Sequence, residues 1–317
     1  MNTPRSRILL TGGSGFVGSS LAIHLKQDGR SVRSVQRIQD RSNAFAIGDI
    51  GPTTDWFDAL ADVNCIVHCA ARAHVMNETK VDPLAAYRRV NVGGTRRLAE
   101  QAAESGVKRL VYLSSIKVNG EQTSTGTCFT ASAPPNPIDP YGISKWEAEQ
   151  VLFEISARTG LEVVIIRPSL VYGPGVKGNF LSLLGWLNRG IPLPLGAINN
   201  MRSLVGIDNL VDLVSTCIDH PAAVNQTFLV SDGEDLSITD LLQRLGRALH
   251  KPSRLLPVPA SMLEVAAQLV GKKAVAQRLL GNLQVDISKT REVLDWSPIV
   301  SVDEGLQKTA DWYLSQR

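Results

Sequence analysis

Tyr141 and Lys145 form a Y-x-x-x-K pair whose residue types suit acid–base chemistry. Side chains four residues apart on a helix share a face, so both can reach one site. A free tyrosine has a pKa of about 10 and is a poor base at neutral pH. A lysine ammonium about 4 Å away favours the phenolate by about 4 kcal/mol at an effective dielectric constant of about 20. An oxidised nicotinamide would add further positive charge, so we expect the pKa of Tyr141 to lie near neutrality in the site with its cofactor, where the phenol can exchange a proton with a substrate.

Ser115 supplies a second hydroxyl for the same chemistry. It follows the apolar run at 108–114, which predicts a buried parallel strand. The carboxyl ends of such strands border the ligand crevice of a doubly wound sheet, so Ser115 and Tyr141 could bond one substrate oxygen. The alternative interpretation is a strand-end serine that only caps a turn.

A glycine-rich turn follows the first predicted strand, in the sequence TGGSGFVG at 11–18. Gly13, Gly15 and Gly18 satisfy the spacing G-x-G-x-x-G, and Gly12 with the last two satisfies G-x-x-G-x-x-G. Glycines here permit a tight turn and the close approach of backbone N–H groups to a pyrophosphate. The N-terminus of the following helix favours an anion at the same place. The turn therefore predicts a dinucleotide cofactor.

The end of the second predicted strand bears on the choice of cofactor. An acidic residue there would bond the adenosine ribose hydroxyls and select NAD, but the chain has Arg37. The planar guanidinium of Arg37 could pair with a 2′-phosphate, or Arg37 could be a solvated loop residue. We therefore favour NADP(H) and leave NAD(H) open. Asp49, after the third predicted strand, could bond the adenine amine or cap a turn.

Alternating strands and helices in the first half of the chain must position these side chains. The spacing predicts an α/β fold, a doubly wound parallel sheet of the Rossmann type with a smaller C-terminal substrate-binding lobe. We expect the cofactor domain to cover 1–170, with later segments at about 199–230 returning to its sheet, and the lobe to cover mainly 171–317. The predicted strands are 6–11, 31–36, 44–48, 64–68, 108–114 and 161–167, and the predicted helices are 16–27, 83–105 and 141–159.

The bulk composition is that of a globular protein, with 44% apolar and 20% charged residues. A formal net charge of +3 indicates neither a nucleic-acid partner nor attraction to an anionic membrane. The four cysteines form no C-x-x-C pair, so we expect no disulfide framework and no metal site, and a reduced cytoplasmic location fits.

Neither a signal-peptide pattern nor an apolar run of about 20 residues is visible, so we expect no integral membrane segment. The apolar stretch at 261–280 has helical spacing. It predicts a lobe helix packed on the core, the alternative being a helix that rests on a membrane surface.

Together these motifs resemble the extended short-chain dehydrogenases/reductases of the NAD-dependent epimerase/dehydratase group, which modify nucleotide sugars. In that family the serine matching Ser115, the tyrosine matching Tyr141 and the lysine matching Lys145 form a catalytic triad, and the lysine also binds the nicotinamide ribose. The similarity extends over nearly the whole chain, through TGGSGFVG at 11–18, HCAA at 68–71, NVGGT at 91–95, LSSIKVNG at 113–120, YGISK at 141–145 and RPSLVYGP at 167–174.

The resemblance implies a set of binding residues and a homodimer built on helices 83–105 and 141–159. Asn179 and Arg202 match residues that bind the nucleotide diphosphate, although each could instead be a turn or surface residue. Arg278 is the candidate for a second phosphate-binding arginine, but it lacks the family's usual Arg-x-Gly-Asp form. The implied cofactor-binding residues are Gly12, Gly15, Phe16, Val17, Gly18, Arg37, Asp49, Ile50, Cys69, Ala70, Ala71, Tyr141, Lys145 and Pro168, and the implied substrate-binding residues are Ser115, Asn179, Arg202 and Arg278.

The resemblance leaves several reactions open. The family's 4,6-dehydratases have Asp-Glu after the active-site hydroxyl residue, where this chain has Ile116 and Lys117, so dehydration is disfavoured. We favour reduction of the C4 keto group of a UDP-4-keto-6-deoxy-(N-acetyl)hexosamine, because Arg37 and the missing acid suit an exchangeable NADPH. The string SSIKVNG at 114–120 also resembles the reductases of this class in bacterial O-antigen polysaccharide (lipopolysaccharide) biosynthesis. The alternative is a UDP-hexose or UDP-N-acetylhexosamine 4-epimerase with retained NAD. A third hypothesis is an inactive NADP-sensing regulator.

Overall fold

The computed structural model describes residues 7–37, 45–73, 82–269, 271, 276 and 279–316. Within them, seven parallel strands form one sheet in the order β3-β2-β1-β4-β5-β6-β9. The strands of this sheet are β1 Arg7–Thr11, β2 Ser31–Gln36, β3 Phe45–Ala46, β4 Val63–His68, β5 Arg109–Leu113, β6 Glu162–Pro168 and β9 Gln226–Val230.

Helices cover both faces of the sheet, so the predicted doubly wound α/β fold is confirmed. Successive residues of a strand point to opposite faces. In β1, Ile8 and Leu10 pack into one core layer with helix α1, while Leu9 packs into the other layer with α4 and α5. The helices around the sheet are α1 Phe16–Gln27, α2 Phe57–Leu60, α3 Pro83–Tyr87, α4 Thr95–Glu104, α5 Pro140–Thr159 and α7 Ile207–Asp219.

Two predicted elements differ from the observed ones. The strand expected at 44–48 is only the exposed pair Phe45–Ala46, which adds to the outer edge of β2 and has little apolar surface to bury. The single helix expected at 83–105 is divided by a π-helical segment, Arg88–Gly94. Gly94 lies in this segment and packs closely against Ile50, since a Cβ on Gly94 would come within 2.5 Å of Ile50 Cγ2.

A smaller lobe lies at the carboxyl ends of these strands and has its own apolar core. Its three strands pair in the order β10-β8-β7. Tyr172 and Phe180 stack at 5.6 Å between ring centroids within this core. The strands and helices of the lobe are β7 Leu170–Tyr172, β8 Arg202–Gly206, β10 Asp235–Leu236, α6 Gly178–Asn188, α8 Ile238–Ala248, α9 Ala260–Leu269 and α11 Val302–Ser315. Helix α10, Ser288–Leu294, packs instead against β9 in the core of the main sheet.

Helix α9 packs less well than the sequence predicts. Leu263 and Ala267 are only partly buried against the lobe core, and Met262, Val265 and Leu269 are exposed. Helix α9 covers Ala260–Leu269 of the helix expected over 261–280, and most of 270–278 lies outside the described residues. No helix among the described residues has both the length and the apolar character that crossing a bilayer requires.

Candidate active site

The first turn of α5 presents Tyr141 at the carboxyl edge of the sheet. Asp139 caps this helix, because its Oδ1 accepts a hydrogen bond from the backbone N–H of Gly142 at 2.7 Å. Pro140 occupies the first helical position, where a missing N–H has no consequence. Lys145 follows one turn later and is fully buried. The predicted pair therefore lies on one well-capped helix.

Ser115 reaches the same place from the sheet. It follows β5 directly and caps a short 3-10 turn, Ile116–Val118, through a hydrogen bond from the backbone N–H of Lys117 to its Oγ at 3.3 Å. The Ser115 side chain is also hydrogen-bonded to the Tyr141 hydroxyl. The structure thus brings these two hydroxyls together, as their positions in the sequence predict, and the turn-capping alternative holds at the same time.

The pKa of Tyr141 moves in the direction opposite to the one we predicted. Burial of the phenol raises the pKa above its ordinary value, and the charges of Asp139 and Tyr87 raise it further, while the hydrogen bond with Ser115 lowers it. The loss of hydration outweighs any attraction by the neighbouring lysine. The expected value near neutrality is therefore not reached in the protein without a bound cofactor.

Lys145 shows why its ammonium has little effect on the phenol. Its Nζ lies 4.0 Å from the centroid of the Tyr112 ring, in a fully buried position. Burial lowers the pKa of Lys145 to about 7, although Glu149 and Cys69 act to raise it. The lysine is therefore poised between its charged and neutral forms near neutral pH, a property typical of functional sites.

Tyr87 and Arg72 extend the site beyond the predicted residues. The rings of Tyr87 and Tyr141 meet edge to face at 6.1 Å between centroids, and the Arg72 guanidinium lies 5.5 Å from the centroid of the Tyr87 ring. Asn91 holds the backbone of Arg72, accepting its N–H at 2.8 Å and donating to its carbonyl at 3.1 Å. Asn91 thus orders the local backbone beside the site.

The glycine turn between β1 and α1 has the geometry that a pyrophosphate requires. Gly12 has a φ of +72°, and a Cβ there would come within 2.7 Å of the Ala70 backbone nitrogen. A Cβ on Gly18 would lie 2.1 Å from the Gly12 carbonyl oxygen. Gly15 occupies the N-cap of α1 without a side chain to cap it, so the first N–H groups of the helix point toward the crevice. These residues fit a dinucleotide.

The other predicted cofactor residues lie at the start of α1, after β3 and at the carboxyl ends of β4 and β6. Cys69, Ala70 and Ala71 follow β4 directly, and the Ala70 N–H donates to Thr11 Oγ1 at 3.2 Å. Phe16 opens α1 and contacts both the sheet core and the lobe core. The remaining predicted residues are the half-buried Val17 beside Phe16, Ile50 against Gly94 and the buried Pro168 at the end of β6.

Arg37 and Asp49 lie together at the outer end of β2. Their side chains are 80% and 89% exposed, and Arg37 Nη1 is 4.0 Å from Asp49 Oδ1. A carboxylate beside the guanidinium offsets part of the positive charge that would attract a 2′-phosphate. Residues 38–44, which follow Arg37, lie outside the described residues.

The predicted substrate residues are placed unequally. Arg202 begins β8 and is largely buried, which lowers its pKa, and its Nη1 donates to the Gly281 carbonyl at 2.9 Å. Asn179 is exposed in the first turn of α6. Arg278 lies outside the described residues.

Buried polar groups beneath the site were not found from the sequence. Glu149 and Arg167 form a buried ion pair at 2.5 Å, and Ser114 donates to Glu149 at 2.5 Å. His68 lies between Thr11 and Thr95, and burial lowers its pKa to about 3, so it stays neutral and structural. The motif RPSLVYGP contains Arg167, but nothing in its spacing identifies Glu149 as the partner.

The whole chain is similar to proteins of known function. A model of the NAD dependent epimerase/dehydratase family matches residues 8–231. A UDP-glucose 4-epimerase of Vibrio cholerae is 49% identical over 316 residues, which are 98% of this chain and 96% of that protein. An N-acetyl-α-D-glucosaminyl-diphospho-ditrans,octacis-undecaprenol 4-epimerase of Escherichia coli is 29% identical, covering 96% of this chain and 94% of that protein.

Solved structures show the same fold. The UDP-N-acetylglucosamine 4-epimerase of Bacillus cereus superposes with a TM-score of 0.79 at 22% identity, covering 98% of this chain and 99% of that one. The strand order and the flanking helices described above are therefore those of a known architecture.

Proposed function

The chain belongs to the NAD-dependent epimerase/dehydratase family, and on that basis we propose that it is a UDP-hexose 4-epimerase that uses NAD. The 49% identity to a UDP-glucose 4-epimerase over 98% of the chain is the main support for this proposal. The hydrogen-bonded Ser115 and Tyr141 next to a buried Lys145 are the residues to which we assign the chemistry.

In the proposed reaction Tyr141 accepts the proton of the C4 hydroxyl, and Ser115 hydrogen-bonds the same oxygen. NAD, when bound, would supply the acceptor for the C4 hydride, the donor that returns this hydride to C4, and a positive charge near the phenol. After the sugar turns its other face, Tyr141 returns the proton to the C4 oxygen, so the substrate and product have the same composition. The glycine turn at Gly12, Gly15 and Gly18 would hold the pyrophosphate, and Lys145 the nicotinamide ribose.

This proposal corrects our preference for a C4 keto-reductase. The relatives favour the epimerase alternative, and nothing among them specifically supports reduction. They do not support NADP(H) either, since the matched family is NAD dependent. The dimer, the cytoplasmic location, the role in O-antigen biosynthesis and the binding roles of Asn179, Arg202 and Arg278 stay predictions.

The test is to incubate the purified protein with UDP-glucose and with UDP-N-acetylglucosamine, with and without added NAD, and to identify the sugar by NMR. We expect the C4 epimer to appear without net change in nicotinamide absorbance. Stoichiometric oxidation of NADPH by a UDP-4-keto-6-deoxy sugar, with no epimer formed from either UDP-hexose, would restore the reductase.

A further inference from the structure

An ion pair joins the two segments that present Ser115 and Tyr141. Lys117 lies in the 3-10 turn that Ser115 caps, and its Nζ contacts Oδ2 of Asp139, the cap of α5. Both side chains are mostly shielded, with 31% of Lys117 and 21% of Asp139 exposed. Glu121 Oε1 lies 3.6 Å from the same ammonium.

Each partner of this ion pair also contacts backbone beside a proposed catalytic group. Asp139 uses its other oxygen, Oδ1, to accept the N–H of Gly142, the residue after Tyr141. The backbone N–H of Lys117 donates to Ser115 Oγ. A Cβ on Gly142 would lie 2.9 Å from the Lys117 carbonyl oxygen, so the two segments touch backbone to backbone.

We propose that Lys117 is a positioning residue for the Ser115–Tyr141 pair, holding Asp139 against the start of α5 and cancelling the negative charge that Asp139 places near the phenol. The proposal rests on the proposed function for its kinetic consequences. Lys117 occupies the second position after Ser115. An acidic residue at this position would add negative charge near the Tyr141 phenol, whereas the Lys117 ammonium offsets the charge of Asp139.

The electrostatic part follows from the groups that face Tyr141. Asp139 acts on it from the start of α5, Tyr87 from the helical segment at 83–104, Ser115 from the turn and the buried Tyr112 from β5. Lys145 lies one turn along α5, with its Nζ over the Tyr112 ring. Asp139 is the nearest full negative charge, and it acts to raise the pKa of Tyr141. Removing the Lys117 ammonium leaves the charge of Asp139 uncompensated. A higher pH is then needed to form the Tyr141 phenolate, which is the form that accepts a proton.

The test compares Lys117→Met, Lys117→Arg, Asp139→Asn and the double variant Lys117→Met/Asp139→Asn by kcat and kcat/KM against pH. Asparagine is as good an N-cap as aspartate, so Asp139→Asn removes the charge and keeps the helix start. We expect Lys117→Met to move the acid-side inflection up by about one pH unit and to lower kcat about tenfold at neutral pH, since one pKa step is tenfold in the ionised fraction.

Lys117→Arg should restore most of the activity, and the double variant should recover most of what Lys117→Met loses. Lys308→Met, which breaks an ion pair between α11 of the lobe and Asp208 of α7, is the matched control and should leave the profile unchanged. The proposal would be overturned if Lys117→Met and Asp139→Asn lowered kcat equally and the acid-side inflection of the pH profile did not move. That result is expected if the ion pair only holds the two segments together.

A second measurement needs no turnover. A fluorinated tyrosine placed at position 141 can be titrated by fluorine NMR, and Lys117→Met should move its ionisation to higher pH. If the wild-type chain shows no epimerase activity, the proposed function fails and this titration still decides the role of Lys117. If the titration does not move, the role assigned to Lys117 fails, whatever the substrate.

Discussion

Tyr141 is the residue on which the proposed chemistry depends most directly. Tyr141 is half-buried, its hydroxyl is hydrogen-bonded to Ser115, and its ring lies edge to face with that of Tyr87. Tyr141→Phe removes only the oxygen, so the packing of the ring is preserved. We expect kcat to fall by about a hundredfold or more, the usual contribution of a positioned acid–base group, while the affinity for NAD measured by calorimetry changes little. Retention of most of the wild-type kcat would show that another group moves the proton.

Lys145 gives the protein a pH-dependent stability that a neutral side chain lacks. Its pKa in the folded chain is about 7 because of burial, whereas it is about 10.4 when unfolded. Between these values the unfolded chain binds more protons, so the free energy of unfolding rises with pH by at most about 1.4 kcal/mol per pH unit. The cost of burying the ammonium is complete below about pH 7 and is relieved above it.

We therefore expect wild type to gain stability relative to Lys145→Met between about pH 7 and pH 9, as measured by urea denaturation at each pH. Below this range the difference between the two proteins should become constant. A difference that does not change with pH would mean that the lysine keeps its charge in the folded protein.

At the scale of elements, the turn between β1 and α1 has no room for a side chain at Gly12 or Gly18. A Cβ on Gly18 meets the Gly12 carbonyl oxygen, which is backbone and cannot rotate away. Gly18→Ala should displace the N–H groups of the turn and weaken NAD binding about tenfold or more, a loss of about 1.4 kcal/mol. Gly185→Ala in α6 is the control, because its Cβ would meet only Tyr313 Oη at 3.6 Å. Equal NAD affinity in both variants would argue against this turn as the pyrophosphate site.

Helix α5 and strand β6 are joined by the buried pair of Glu149 and Arg167, which are almost fully shielded from solvent. Arg167 also donates to Asn119 at 3.0 Å, linking both elements to the turn after Ser115. Glu149→Gln leaves a buried guanidinium without its charge partner and should cost about 3–5 kcal/mol of unfolding free energy.

Glu147→Gln is the matched control on the same helix, since it removes a more exposed pair with Arg88 and should cost under about 1 kcal/mol. Chemical denaturation of both variants measures the contrast. Similar losses in the two would show that burial does not distinguish these ion pairs.

The periodicity of apolar residues and the residues that end helices explain why the elements could be predicted from the sequence while their contacts could not. Buried parallel strands such as β5 and β6 are continuous apolar runs, and α5 is closed by Gly160 in the left-handed region at a φ of 79°. The π-helical segment that divides the helix at 83–104 contains Gly94, which packs against Ile50, and a contact between such distant segments cannot be predicted from residue spacing.

Over the whole molecule, the predicted site residues that follow strand ends come together because parallel strands end at one edge. Ser115, Cys69 and Gly12 belong to this group. Tyr87, Asp139 and Glu149 could not be identified in the same way, since their roles come from partners far away in sequence. The pKa of Tyr141 was mispredicted for a related reason, because the extent of its burial depends on the whole fold.

The choice of dinucleotide is a property of the whole cofactor crevice and is tested by linkage between binding and stability. In a doubly wound fold the adenosine ribose lies at the end of the second strand, where Arg37 stands 4.0 Å from Asp49. A 2′-phosphate there would gain attraction from the arginine and repulsion from the aspartate, so we expect no net preference for NADP.

A bound ligand raises the unfolding free energy by about 2.7 kcal/mol at a hundredfold excess over its Kd. We expect NAD to raise the Tm more than NADP at equal concentration, and Asp49→Asn to narrow the difference by removing the repulsion, while Arg37→Ala widens it. A larger rise in Tm with NADP in the wild-type chain would reinstate Arg37 as a 2′-phosphate ligand.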